Sequence, residues 1–392
     1  MRDRLDRVNE VARRFVANGQ LAGVASLVWR RGEIVSLVTE GWADIDAKIP
    51  IRRDTIFRIA SMTKPIISVA ALMLLEDGRL TLNDPLIRWL PEAANLRVLR
   101  MPGAELDDTV PLDRPPTLHD LLTHRAGFAG PLLLGAGTPV VQALAEATGQ
   151  VPGASPFIQL TPDELVARVC TVPLMMQPGS RWHYGISTDL LGVVVARASG
   201  MSLPDFLGSR IFGPLGMVDT GFFVPPEKRD RLAIGYARGT PLVVYDHAAT
   251  GQWSKPPVFP AGGGGIASTL DDYLAFARML LARGKVGKVR LLSRASVAMM
   301  TAPHLTGDQG RPLHPGLDIL LGRNFGLGVS IHAGAGPELG SPGKYGWSGV
   351  YGTDWFNDPA EDLIGIVMSQ LWYSGSELRP AFANAVYQAI DD

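Results

Sequence analysis

The stretch "FRIASMTKPIISVAALMLLEDG", residues 57 to 78, decides how the rest of the chain is read. It sets Ser61 three positions before Lys64, just ahead of an apolar run from Ile66 to Leu75 that stops at Asp77-Gly78, a helix-ending pair. Residues i and i+3 share a face at a helix start, so the lysine nitrogen can reach the serine hydroxyl there. Free backbone N–H groups and the helix dipole favour negative charge at the same place. Pro65 fits only if the helix is just beginning, because deeper in it would remove a ladder hydrogen bond and clash. Taken alone, however, the pair also reads as an N-cap serine and a solvated lysine. Spacing does not decide it, since Ser341-Pro-Gly-Lys344 has the same spacing without a helix to hold it in register.

Outward from that stretch, "LAGVASLVWRRGEIVSLVTEGWAD" gives two β-branched apolar runs around Arg31-Gly32, an antiparallel hairpin. Before it, Leu5, Val8, Ala12, Phe15 and Val16 fall on one helical face. From Arg79 to about residue 240 the chain breaks into short helical pieces such as "NDPLIRWLPE", "TLHDLLTHRAGF" and "STDLLGVVVARASG". Residues 129–156, rich in Gly, Ala and Pro, read as an irregular insertion lining or covering a cleft. Near the C-terminus, "LIGIVMSQ" is a buried strand and "LRPAFANAVYQAI" a helix. The expected architecture is therefore α/β (α+β) in two lobes. Residues 1–78 and 241–392 form an α/β domain, and 79–240 form an inserted helical domain.

With 46% hydrophobic residues in 392, the chain can bury a large core. Lys+Arg 37 against Asp+Glu 38, with no run of like charge, argues against a nucleic-acid or anionic-membrane partner. No signal-peptide core is visible, nor any run of about eighteen apolar residues, so the expected location is the cytoplasm. Cys170, the single cysteine, reads as a buried structural residue. The seven histidines show no metal-ligand spacing, and neither a metal nor another cofactor is expected. Gly262 to Gly265 lacks the lysine of a phosphate loop and reads as backbone passing close to a sheet or cleft. No G-x-S-x-G elbow occurs.

A serine hydroxyl needs a base, and the leaving group needs a proton carrier. At this point the order of "SMTKP", "LLTHRAGF", "PGSRWHYGISTDLLGVVVARASG", "FGPLGM", "GGGGIASTLDDYLAF" and "WSGVYGTDWFNDP" resembles the class C β-lactamase and penicillin-binding-protein superfamily of serine hydrolases, most closely the family VIII carboxylesterases. The resemblance covers nearly the whole chain. It implies a β-lactamase/transpeptidase-like fold, a central antiparallel sheet flanked by helices. It also implies Ser61 as acylated nucleophile, Lys64 as its base and Tyr184 as second proton carrier. Without Ser61, Tyr184 would read as a buried loop anchor.

Two registers compete for the third motif, Lys344-Tyr345-Gly346 and Trp347-Ser348-Gly349; the trailing "VYGTDWFNDP" favours the second. The resemblance then makes Trp347, Ser348 and Gly349 substrate-binding and places an oxyanion hole at the backbone N–H groups of Ser61 and Val350. β-Lactamases carry an asparagine where this chain has Ile186. Trp347 offers an apolar face and one neutral N–H in place of a lysine, so small neutral esters are expected as substrates. The alternatives are a β-lactamase, a D-amino-acid peptidase, an acyltransferase, or a penicillin-binding sensory module that stays acylated. His124 is expected to pack or hydrogen-bond rather than to catalyse.

Overall fold

The computed structural model describes residues 4–130, 137–150, 158–311, 320, 322–334, 338–373 and 377–391. Its largest element is an eight-stranded sheet: β1 (Gly23–Arg30), β2 (Glu33–Asp44), β3 (Ile49–Pro50), β4 (Asn324–Phe325), β5 (Ser330–Ile331), β6 (Tyr345–Gly349), β7 (Thr353–Asp358) and β8 (Leu363–Ser369). The spatial order is β4-β5-β6-β7-β8-β1-β2-β3, and each recorded neighbour pair runs antiparallel. Arg31 and Gly32 both take positive φ, as the tight β1–β2 turn demands of its two central residues.

The principal helices are α1 (Asp6–Ala17), α2 (Thr63–Glu76), α3 (Leu118–Leu122), α4 (Pro139–Thr148), α5 (Pro162–Val169), α6 (Ser187–Ser199), α7 (Leu270–Leu281) and α8 (Leu378–Tyr387). At its centre the sheet is buried on both faces, which is why β1 and β8 read as nearly continuous apolar runs. Ala25, Leu27, Ile364, Ile366 and Met368 join the core shared with α2 and α7. Val24, Val28, Leu363 and Val367 point the other way, to a second core under α1 and α8. Helix α2 is buried over twelve of its residues and packs against α6. Each fully buried Leu or Ile in it contributes about 1.5–3 kcal/mol. A helix apolar all round has no solvent face to lose, and α2 is therefore a fixed post on which Lys64 is mounted.

Within 129–156, expected to be irregular, the described residues 137–150 contain α4, started by Pro139 and ended by Gly149 at φ +75°. Residues 131–136 and 151–156 of that stretch lie outside the described set. Residues 83–92, expected as helix, form only short 3₁₀ turns, Leu86–Arg88 and Pro91–Asn95, because Pro85 and Pro91 interrupt the ladder. No single helix among the described residues is long and apolar enough to cross a membrane.

Candidate active site

The approach to Ser61 is fixed before the residue itself is reached. Phe57–Arg58 pairs with Ala267–Ser268, and the buried Arg58 guanidinium holds the buried Asp246 carboxylate, Nε to Oδ2 at 2.7 Å. Ala60 then takes φ +45°, a left-handed conformation that costs a non-glycine residue on the order of 1–3 kcal/mol. The turn it makes opens a 3₁₀ segment, Ala60–Met62, that runs straight into α2.

In this arrangement Lys64 Nζ donates to Ser61 Oγ at 3.1 Å. The cap residue of α2 is Met62, and no side chain caps the helix, so the Ser61 hydroxyl is not spent as an N-cap. Lys64 is 5% exposed, which rules out the solvated lysine. It also donates to the Gly263 carbonyl and sits 4.6 Å from the centroid of the Tyr184 ring. Three residues from three distant segments thus surround one amino group.

The box strand meets them from the side. β5 pairs with Tyr345 and Gly346, and among the described residues the Trp347–Gly349 half of β6 has no strand partner on that edge. Trp347 Nε1 donates to Tyr184 Oη at 3.3 Å. A Cβ on Gly349 would lie 2.3 Å from the Ile59 carbonyl oxygen, so only glycine lets β6 close on the segment that carries Ser61. Thr353 Oγ1 fastens the same carbonyl at 3.1 Å.

The competing register faces elsewhere. Lys344 Nζ donates to Leu339 O at 2.8 Å and lies over the Phe356 and Tyr387 rings, on the α8 side of the sheet. Burial, with Arg323 adding to it, lowers its pKa to about 8. Ser341 gives its backbone N–H to Asp358, and the Lys344 amine donates to Leu339 O rather than to the Ser341 hydroxyl. Of the two boxes, Trp347-Ser348-Gly349 is the one brought to Tyr184. Ser348 itself turns its hydroxyl to Arg379, whose Nη1 donates to it at 2.7 Å.

The Beta-lactamase family profile matches residues 8–389. The chain belongs to the β-lactamase family. It is 33% identical over 410 residues to Esterase EstB of Burkholderia gladioli, spanning 98% of this chain and 94% of EstB. An uncharacterized protein of Mycobacterium tuberculosis is 39% identical over 357 residues, 90% of this chain and 86% of its own. Among solved structures, EstCE1, described as a hydrolase with promiscuous acyltransferase activity, superposes with a TM-score of 0.80 at 26% identity, covering 98% of this chain and 99% of EstCE1. The expected β-lactamase/transpeptidase-like fold is the one found.

Other residues of this β-lactamase-family site escaped the sequence. Gly263 accepts from Lys64 and gives its N–H to Asp189 Oδ1 at 2.9 Å. The glycine run does pass close to the cleft, as expected; its carbonyl is what the composition could not announce. Burial pushes the Asp189 carboxyl up, against the opposing pull of Lys64 and the Gly263 N–H. Asp189 was invisible because one acid in the first turn of a helix looks like ordinary dipole compensation.

His124 packs its ring 4.9 Å from that of Tyr184. Burial first, then Lys64 and His183, drive its pKa well below the usual value, leaving a neutral imidazole behind the tyrosine. Ile186 is a buried core residue at 7% exposure. Cys170 ends α5, half-buried, with its thiol pushed up to about 12 by burial.

Proposed function

We propose that this serine hydrolase is a carboxylesterase acting on small neutral esters through an acyl-enzyme on Ser61. The observation that carries it is the enclosed Lys64 amine, hydrogen-bonded to Ser61 Oγ with the Tyr184 ring beside it. Ser61 Oγ attacks the ester carbonyl carbon while its proton passes to the Lys64–Tyr184 pair. The negative oxygen of the tetrahedral intermediate is received by the backbone N–H groups of Ser61 and Val350. Collapse breaks the bond to the alkoxy group, which takes the proton and leaves as the alcohol. Water enters, gives a proton to the same pair, attacks the acyl carbon and frees the acid, and the proton returns to Ser61.

The wall beyond Tyr184 supports an apolar acyl or alkoxy group: Trp182, Leu305, Phe325 and Trp347 form one cluster with it. No metal or other cofactor takes part in these steps. The even charge balance supports a small-molecule partner over a nucleic acid or a membrane surface, and the cytoplasm is the expected compartment.

The test is hydrolysis of p-nitrophenyl butyrate and of nitrocefin by the protein and its Ser61→Ala variant. Ester turnover that disappears in the variant, with weak nitrocefin cleavage, is the expected result. Efficient nitrocefin cleavage would make the protein a β-lactamase, and ester activity that survives Ser61→Ala would remove the site altogether. The acyltransferase reading is favoured by one observation, the likeness to EstCE1. Adding an acceptor alcohol and measuring the new ester separates it from plain hydrolysis.

A further inference from the structure

The peptide unit joining Gly349 to Val350 is planar, so whatever fixes its carbonyl also fixes the direction of its N–H. That N–H is the Val350 donor of the proposed oxyanion hole, and its carbonyl oxygen, Gly349 O, has two donors. One is local, the Gly352 N–H at 3.1 Å across the β6–β7 turn. The other comes from outside the sheet: Arg379 Nη2, in the first turn of α8, at 3.1 Å. The same guanidinium reaches Ser348 Oγ through Nη1 at 2.7 Å, so the fork straddles adjacent residues of the free half of β6.

We propose that Arg379 is a positioning residue for the oxyanion hole, aiming and polarising the Val350 N–H through the Gly349 carbonyl. A charge-assisted hydrogen bond to a carbonyl is stronger than a neutral one and draws electron density from the peptide, making its N–H a better donor. Stability alone gives little reason for such a group here. Arg379 Nε is buried without an acceptor among the described residues, an arrangement that costs free energy. The nearby acid, Asp354, sits across from Ser348 in the β6–β7 register and supplies the opposing charge. Burial pushes the Asp354 carboxyl up, with Arg379 the first of the cations pulling it back.

The inference rests on the serine-esterase reading, and the experiment separates the two. Arg379→Met, Arg379→Lys and Ser348→Ala are assayed with p-nitrophenyl butyrate, with an ester bearing a free carboxylate, and with a boronic acid that forms a tetrahedral adduct on a reactive serine. Losing an oxyanion donor outright costs about 100- to 1,000-fold in kcat. Mis-aiming one should cost about 10- to 100-fold in Arg379→Met, with KM for the neutral ester unchanged and boronic acid affinity lowered by a similar factor. Arg379→Lys should recover part of the kcat loss, and Ser348→Ala should show a smaller fall of the same kind.

Unchanged kcat on the neutral ester, with KM raised only for the carboxylate-bearing one, would overturn the proposal and make Arg379 a substrate contact. If Arg379→Met does not fold, Arg379→Lys and Ser348→Ala decide by the same split between kcat and KM. Failure of the underlying reading has its own signature, ester turnover that persists in Ser61→Ala.

Discussion

The indole N–H of Trp347 is given to the hydroxyl oxygen of Tyr184, across 3.3 Å between rings whose centroids lie 5.3 Å apart. The sequence offered that donor to the substrate; the fold gives it to the tyrosine. Trp347 therefore commits its nitrogen to Tyr184, and its proposed substrate contact is left to the apolar ring.

Trp347→Phe keeps a ring and removes the hydrogen bond. A neutral hydrogen bond is worth about 0.5–1.5 kcal/mol, so kcat for p-nitrophenyl butyrate should fall roughly 2- to 10-fold with little change in KM. Trp347→Ala, which also removes the wall, should raise KM as well. Steady-state kinetics on the two variants checks this, and equal KM increases in both would refute the orienting role.

Gly263 holds the backbone carbonyl that receives Lys64. A Cβ there would stand 2.3 Å from Asp189 Oδ2, so in Gly263→Ala either that carboxylate or the glycine segment must shift, and the Gly263–Asp189 hydrogen bond behind the carbonyl is disturbed. The expected outcome is a kcat lowered at least about tenfold together with a lower melting temperature. Gly264 is the control, because the nearest atom to its Cβ would be 3.6 Å away, an ordinary contact. Gly264→Ala should keep both activity and melting temperature, and a loss equal to that of Gly263→Ala would count against the carbonyl argument.

A hydrogen-bonded chain runs from Met299 O through His304 and His119 to Arg125. His304 Nε2 lies 2.8 Å from Met299 O, His119 Nε2 lies 2.9 Å from His304 Nδ1, and Arg125 Nη2 lies 3.1 Å from His119 Nδ1. Each imidazole must keep one nitrogen unprotonated to accept its neighbour's proton. Burial, then Arg125 and His304, lower His119 to about 4; Asp120 pulls the other way and Arg114 adds to the lowering. The unfolded chain takes up the proton near 6.5 and the folded one only near 4. Between those values the unfolded state binds more protons, so this contribution to stability is complete above about pH 6.5 and is lost as pH falls towards 4. The urea midpoint should drop between pH 7 and 4.5, and His119→Gln should flatten that slope. An unchanged slope in the variant would assign the acid sensitivity to other groups.

What could be read in advance was local. The Arg31-Gly32 hairpin, the stop at Asp77-Gly78 and the mounting of Ser61 and Lys64 at the mouth of α2 follow from turn chemistry and from i, i+3 geometry, which neighbouring residues carry themselves. The Trp347 register was legible because its flanking sequence is distinctive. What stayed hidden depends on backbone atoms and on distant partners. Residue type does not reveal that the Gly263 carbonyl accepts from Lys64, or that Arg379 reaches Gly349. Helix α4 was missed because Gly, Ala and Pro around it mask a short apolar face, and the resemblance says nothing of what Asp189 or Arg379 touches.

The pairing of β1 with β8 sets Val24 opposite Ser369, and Ile59, two residues before Ser61, is braced by Thr353 and by the close approach of Gly349. A ribosome makes Ser61 and Lys64 long before it makes the strands that brace them. During translation the reactive pair is thus present in a chain that lacks β6 to β8 and the tyrosine's indole partner. Such long-range closure folds slowly, and it delays hydrolytic competence until those strands have been made.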